Sequence, residues 1–100
     1  MSYEVFVDQA AWDELIQYRG RSGIPAELIT CIGRHLEALG QDPWTLGTRP
    51  DVPFPPRGLV YYFSCDVNGV RHNLAALFRF EEEEYRALRV KAIRYDSPDE

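Results

Sequence analysis

The sequence predicts an α+β domain of the order β-α-α-β-β-β, with a helix hairpin packed on one face of an antiparallel sheet. Three observations lead there. Two apolar stripes of helical period follow one another before residue 40. The stretch "C-D-V-N-G-V-R-H-N", residues 65–73, holds an Asn-Gly pair between β-branched residues, which demands a two-residue hairpin turn with positive φ at both positions. The last 40 residues are rich in strand formers. At 100 residues, 45% of them hydrophobic, the chain reads as one domain spanning 1–100 with a modest core, and 96–100 as a flexible tail.

Tyr3 to Val7 alternates and reads as a short first strand. Asp8 is placed to cap a first helix whose positions Trp12, Leu15, Ile16 and Arg19 recur at helical spacing, with Gly20 as its stop. Pro25 suits the first turn of a second helix. Its stripe is Leu28, Ile29, Ile32, Leu36 and Leu39, closed by Gly40. Two helices so closely joined predict an antiparallel hairpin. From Gln41 to Arg57 five prolines exclude a helix or a central strand, so a crossover loop is expected, packed through Trp44, Leu46 and Phe54. Strands are then expected over Leu59–Val67, Val70–Phe80 and Arg86–Arg94, with the run Glu81 to Glu84 as a solvated connection. Four successive glutamates do not converge on a cation, and no metal or other cofactor is assigned.

The net charge of −5 is unevenly spread: Glu81 to Glu84 and the acids Asp96, Asp99 and Glu100 outweigh a remainder of +2. Of 11 basic residues 10 are Arg, the side chain suited to planar, bidentate partners. No run approaches the ~20 apolar residues of a membrane span, and no export signal is visible, so a cytoplasmic location is expected. In that compartment Cys31 and Cys65 read as buried free thiols.

The turn sets the parity of the two strands it joins. One face collects Tyr61, Phe63, Cys65, Val67, Leu74, Ala76 and Phe78 and is the expected core. The other gathers Tyr62, Ser64 and Asp66 with Arg71, Asn73 and Arg79. Strict alternation on the last strand puts Leu88, Val90 and Ala92 inward, leaving Arg89, Lys91 and Ile93 on the open face. An acidic chain thus presents Arg71, Arg79, Arg89 and Lys91 around Tyr62. His72 falls on the core face as a satisfied core histidine, and His35 at the margin of the second helix's stripe.

The order of elements, with "D-Q-A-A-W-D-E-L", "L-E-A-L-G-Q-D-P-W", "Y-Y-F-S-C-D-V-N-G-V-R-H-N-L-A-A-L-F-R-F" and "L-R-V-K-A-I-R-Y", resembles the RelE/ParE toxin superfamily over nearly the whole chain. The resemblance implies the toxin of a bacterial type II toxin–antitoxin, or plasmid-stabilization, system. It implies catalytic roles for Arg71 and Arg94 on a scissile phosphate, with Tyr62 or Tyr95 in proton transfer or base stacking. Arg79, Arg89, Lys91 and Ser64 would bind substrate. Tyr62 and Ser64 stand where RNA-cleaving members carry basic residues, and Arg94 reaches the open face only through a bulge or a strand end.

The resemblance implies two modes of action. One is RNA binding with metal-independent endoribonuclease cleavage of mRNA at the ribosome. The other is a ParE-like grip on a protein such as DNA gyrase; a non-toxic interaction module of the same fold is a third alternative, with no such action. Either implies a cognate antitoxin as partner, no membrane, and room for a homodimer.

Overall fold

The computed structural model describes residues 3–19, 23–47, 58–82 and 86–95. The expected tail at 96–100, most of the proline-rich segment (48–57) and residues 83–85 of the acidic connection lie outside them. The described elements are β1 (Glu4–Val7), α1 (Gln9–Arg19), α2 (Ala26–Gln41), α3 (Pro43–Leu46), β2 (Gly58–Val67), β3 (Val70–Glu82) and β4 (Ala87–Tyr95).

The four strands form one sheet in the order β1-β4-β3-β2. β2, β3 and β4 make the expected antiparallel meander, but β1 joins β4 in parallel, from Glu4 opposite Ala87 to Val7 opposite Val90. The sheet is therefore mixed rather than antiparallel throughout. A parallel pair needs a crossover of a dozen or more residues, and everything from α1 to β3 supplies it.

Asn68 and Gly69 have φ of 52° and 80°, the two positive values a type I′ turn requires. The register is then set: Val67 opposite Val70, Asp66 opposite Arg71, Ser64 opposite Asn73. The inward set is as read from the sequence. Phe63, Cys65, Leu74, Ala76 and Phe78 lie in one core cluster with Leu15, Leu28, Ile32, Leu36 and Leu39 of the helices.

The helices take different parts of the sheet. α1 packs mainly on β4, whereas α2 lies over β2 and reaches β1. Leu28, Ile32, Leu36 and Leu39 form the buried stripe of α2, but Ile29, counted in that stripe from spacing, is exposed. Gly40 does not end the helix. Its missing side chain admits β1: a Cβ there would meet the Tyr3 carbonyl oxygen at 2.7 Å and Val5 Cγ2 at 2.8 Å. Tyr3 N–H donates to the Gly40 carbonyl at 2.6 Å.

The segment expected to be free of helix contains one turn of it. Pro43 sits at the start of α3, where a missing N–H costs nothing. Trp44 stacks on Phe80 with ring centroids 4.3 Å apart, and its Nε1–H donates to Tyr3 Oη at 3.0 Å.

A second correction concerns the cysteines, expected as free thiols. Cys31 on α2 and Cys65 on β2 are joined as a disulfide, with Cα atoms 6.1 Å apart. Among the described residues no helix is long and apolar enough to cross a membrane.

Candidate functional site

The face of the sheet turned away from the helices is built by the hairpin and then altered by β4. Between Leu77 and Phe78 the pairing slips: Leu77 lies opposite Ala92 and Phe78 opposite Val90, so Lys91 is an extra residue on β4. Such a bulge reverses inside and outside for the remainder of the strand. Ile93, expected outward, pairs with Ala76 and is fully buried in the core. Ala92, expected in the core cluster, pairs with Leu77 on the other face. Arg94 lands opposite Ala75, whose other neighbour is Tyr62.

Tyr62, Ala75 and Arg94 therefore form one row across the open face, its outer backbones about 10 Å apart at normal strand spacing. Tyr62 is 47% exposed. Ser64 and Asn73 make the next row, joined by a hydrogen bond from Ser64 Oγ to Asn73 Oδ1 at 2.7 Å. Arg71 and Asp66 make the one after it. Tyr95 does not join them. It lies on the helix side, where its hydroxyl is 3.2 Å from His72 Nδ1 and its ring stacks on Tyr18 at 5.0 Å. His72 is buried there, as its position on the core face predicts.

The expected basic surface is largely neutralised by the chain's own carboxylates. Arg71 Nε meets Asp66 Oδ1 at 3.0 Å, and Arg94 Nε meets Glu14 Oε1 of α1 at 3.4 Å. Arg89 is gripped from two sides, by Asp8 Oδ1 at 2.9 Å and Glu81 Oε2 at 3.0 Å. Lys91 reaches the second oxygen of Asp8 at 2.7 Å. The register slips again between Phe80 and Glu82, which makes Glu81 the extra residue on β3. Two bulges thus deliver the charges, Lys91 and Glu81, that complete the cluster around Arg89 and Asp8. Phe6, opposite Arg89 on β1, lies under its guanidinium at 5.5 Å. Arg79, which faces Arg89 across the pair, makes no salt bridge among the described residues. Asp8, read as a helix cap, begins α1 through its carbonyl, which accepts from Ala11 N–H, while its carboxylate serves the cluster.

The charges shift one another accordingly. Hydrogen bonds from Lys91 and Arg89 hold the Asp8 carboxyl below its ordinary range, Arg89 does the same to Glu81, and Arg71 to Asp66. A carboxylate with a lowered folded pKa contributes stability above its unfolded pKa and loses it as pH falls through the folded value. Stability is therefore expected to fall as pH drops below about 4, and Asp8→Asn is expected to flatten that dependence. Urea midpoints across this range check it; an unchanged pH profile in the variant would remove Asp8 from the account.

The helix side holds a cluster that sequence reasoning missed. Cys31 and His35 lie one turn apart on α2, and Cys65 faces them from β2. A ring nitrogen of His35 and the two sulfurs all lie within 4.8 Å of one another. His35 stacks on Phe63 at 4.7 Å, with Nδ1 3.0 Å from Tyr61 Oη and Nε2 3.1 Å from the Ser64 carbonyl oxygen. Burial raises the Tyr61 pKa and keeps its hydroxyl protonated. The available signal was the i, i+4 spacing of Cys31 and His35, which puts both on one helix face.

Comparison with known proteins leaves this geometry as the guide to function. No protein-family model, curated protein or solved structure matches the chain.

Proposed function

We propose that this chain is a growth-arresting toxin of the RelE/ParE type that acts by gripping a protein target, such as DNA gyrase, rather than by cutting mRNA. The toxin reading is supported by the order strand, two long helices and an antiparallel meander, together with the motif resemblance on the hairpin and last strand. A protein target is favoured by one observation: the cations assigned to a scissile phosphate are already held by carboxylates of this chain. A phosphate at Arg71 or Arg94 has to compete with Asp66 or Glu14 for the guanidinium. General acid–base catalysis also needs a proton-transfer group beside the cations, and Tyr95 is on the wrong side of the sheet for that. A protein surface makes no such demand. It can dock on exposed Tyr62 while leaving the ion pairs intact. In this reading the chain works in the cytoplasm and is neutralised by a cognate antitoxin.

One observation favours the cleaving alternative. The bulge at Lys91 turns Arg94 onto the Tyr62 row, meeting the condition that strict alternation had left unmet. Controlled expression in a bacterium separates the two. The expected result is growth arrest with DNA-damage signalling and intact transcripts, relieved by Tyr62→Ala in a folded variant. Arrest with transcripts cut at the ribosome would overturn the protein-target mode, and unhindered growth with soluble protein would overturn the toxin reading itself.

A further inference from the structure

We propose that Cys31, His35 and Cys65 form a redox-gated binding site for a thiophilic divalent cation of the zinc type, closed by the disulfide and opened by its reduction. The donor set is two sulfurs and an imidazole nitrogen, the ligands zinc prefers. Their mutual separations of no more than 4.8 Å are close to the site's requirement, since tetrahedral zinc with bonds of about 2.0–2.3 Å spaces its ligand atoms roughly 3.3–3.8 Å apart. On reduction the two sulfurs part from bonding distance, carried by a helix and a strand that are packed together.

The hydrogen bonds of His35 prepare it for this role. A carbonyl oxygen only accepts, so the contact with Ser64 places the hydrogen on Nε2, and Nδ1 carries the lone pair. With the disulfide closed, that lone pair accepts from the Tyr61 hydroxyl; a cation takes its place by displacing it. An imidazole that donates its far N–H to a backbone carbonyl while offering the other nitrogen is the arrangement that orients metal-bound histidines. Phe63 stacked on the ring fixes its plane. Cys65 is buried, whereas Cys31 and His35 are half-buried and give the cation a way in from solvent.

The chemistry balances with one external reagent. A thiol or phosphine reductant supplies two electrons to the sulfur–sulfur bond, which breaks and takes up two protons. Binding of the cation then releases both thiol protons, and the two thiolates and Nδ1 occupy three positions. Water fills the fourth. The site rests on this cluster alone and is independent of the toxin reading.

The test compares one sequence in two states, with circular dichroism of the reduced, metal-free protein recorded first to show that it keeps its secondary structure. Protein reduced with a phosphine under argon and freed of metal is titrated with Zn²⁺ alone, and with Co²⁺ to read the sulfur-to-metal charge-transfer absorption. The reduced protein is expected to bind one equivalent, show that absorption, and gain thermal stability with Zn²⁺. The oxidised protein is expected to do none of these. His35→Gln, checked for folding by circular dichroism, is expected to weaken binding at least tenfold, since even outer partners of metal ligands are worth roughly 10–100-fold. Failure of the reduced protein to bind, equal binding by the oxidised protein, or an affinity unmoved by His35→Gln would each overturn the proposal.

Discussion

Replacing Phe78 by Ala is expected to lower stability by about 3–5 kcal/mol, the largest effect of any single substitution in this domain. Phe78 is fully buried and sits between Leu59 of β2 and Val90 of β4. Its ring meets Phe80 edge-on at 6.1 Å and reaches across to the end of α3, where a Cβ on Gly47 would lie 2.7 Å from Phe78 Cζ. That contact makes the loss large. Collapse into the cavity is resisted by the sheet on one side and by the backbone of Gly47 on the other. For a domain of this size the shift corresponds to a melting temperature lower by roughly 12–40 °C, read by thermal and urea denaturation. Phe78→Leu, which keeps most of the volume, should lose far less. A loss below about 1 kcal/mol for the alanine variant would mean that the ring is not enclosed as described.

Opening the Cys31–Cys65 bond is expected to be the second largest effect, about 3–4 kcal/mol by the loop-entropy relation for cysteines 34 residues apart. The bond ties α2 to β2 and closes a loop that includes α3, so its loss frees the unfolded chain more than it alters the folded one. Leu28, Ile32, Leu36 and Leu39 still bury the helix stripe, so the reduced protein should keep its secondary structure while melting earlier. Melting curves of oxidised and reduced protein in the presence of chelator make the comparison. Coincident curves would show that the bond contributes nothing to stability.

Much of the sheet is readable from local chemistry. Asn68-Gly69 admits one tight turn, that turn imposes one register, and the register sorts Tyr61, Phe63, Leu74 and Phe78 from Tyr62, Ser64 and Asn73. Each step is short-range, so the sequence carries it. The features that escape depend on contacts between distant residues. Nothing local to Ala87–Tyr95 marks Lys91 as an extra residue, because the slip is settled by how β4 sits against β3, and the inward turn of Ile93 depends on that slip. The parallel pairing of β1 is invisible for the same reason.

The candidate site differs from expectation in a more instructive way. Arg71, Arg89, Lys91 and Arg94 lie on the strands where expected, but the hairpin register supplies a carboxylate partner only for Arg71. Asp8 and Glu14 come from residues some 80 positions earlier than the arginines they hold, and no reading of strand parity brings them to mind. The assignment of Cys31 and Cys65 as separate thiols has the same origin. Their pairing rests on where α2 crosses the sheet, which composition does not encode.

The pairing of β1 with β4 also bears on how the molecule is made. Residues 4–7 leave the ribosome well before their hydrogen-bonding partners at 87–90, which are synthesised some 80 residues later. Until then Val5 and Val7 have no strand beside them, and the groove at Gly40 can hold the nascent segment but not complete it. Closing the sheet therefore waits for the synthesis of β4, and long-range pairing of this kind slows folding. For that interval the growing chain exposes an unpaired strand edge, the condition in which chaperones are recruited and aggregation begins.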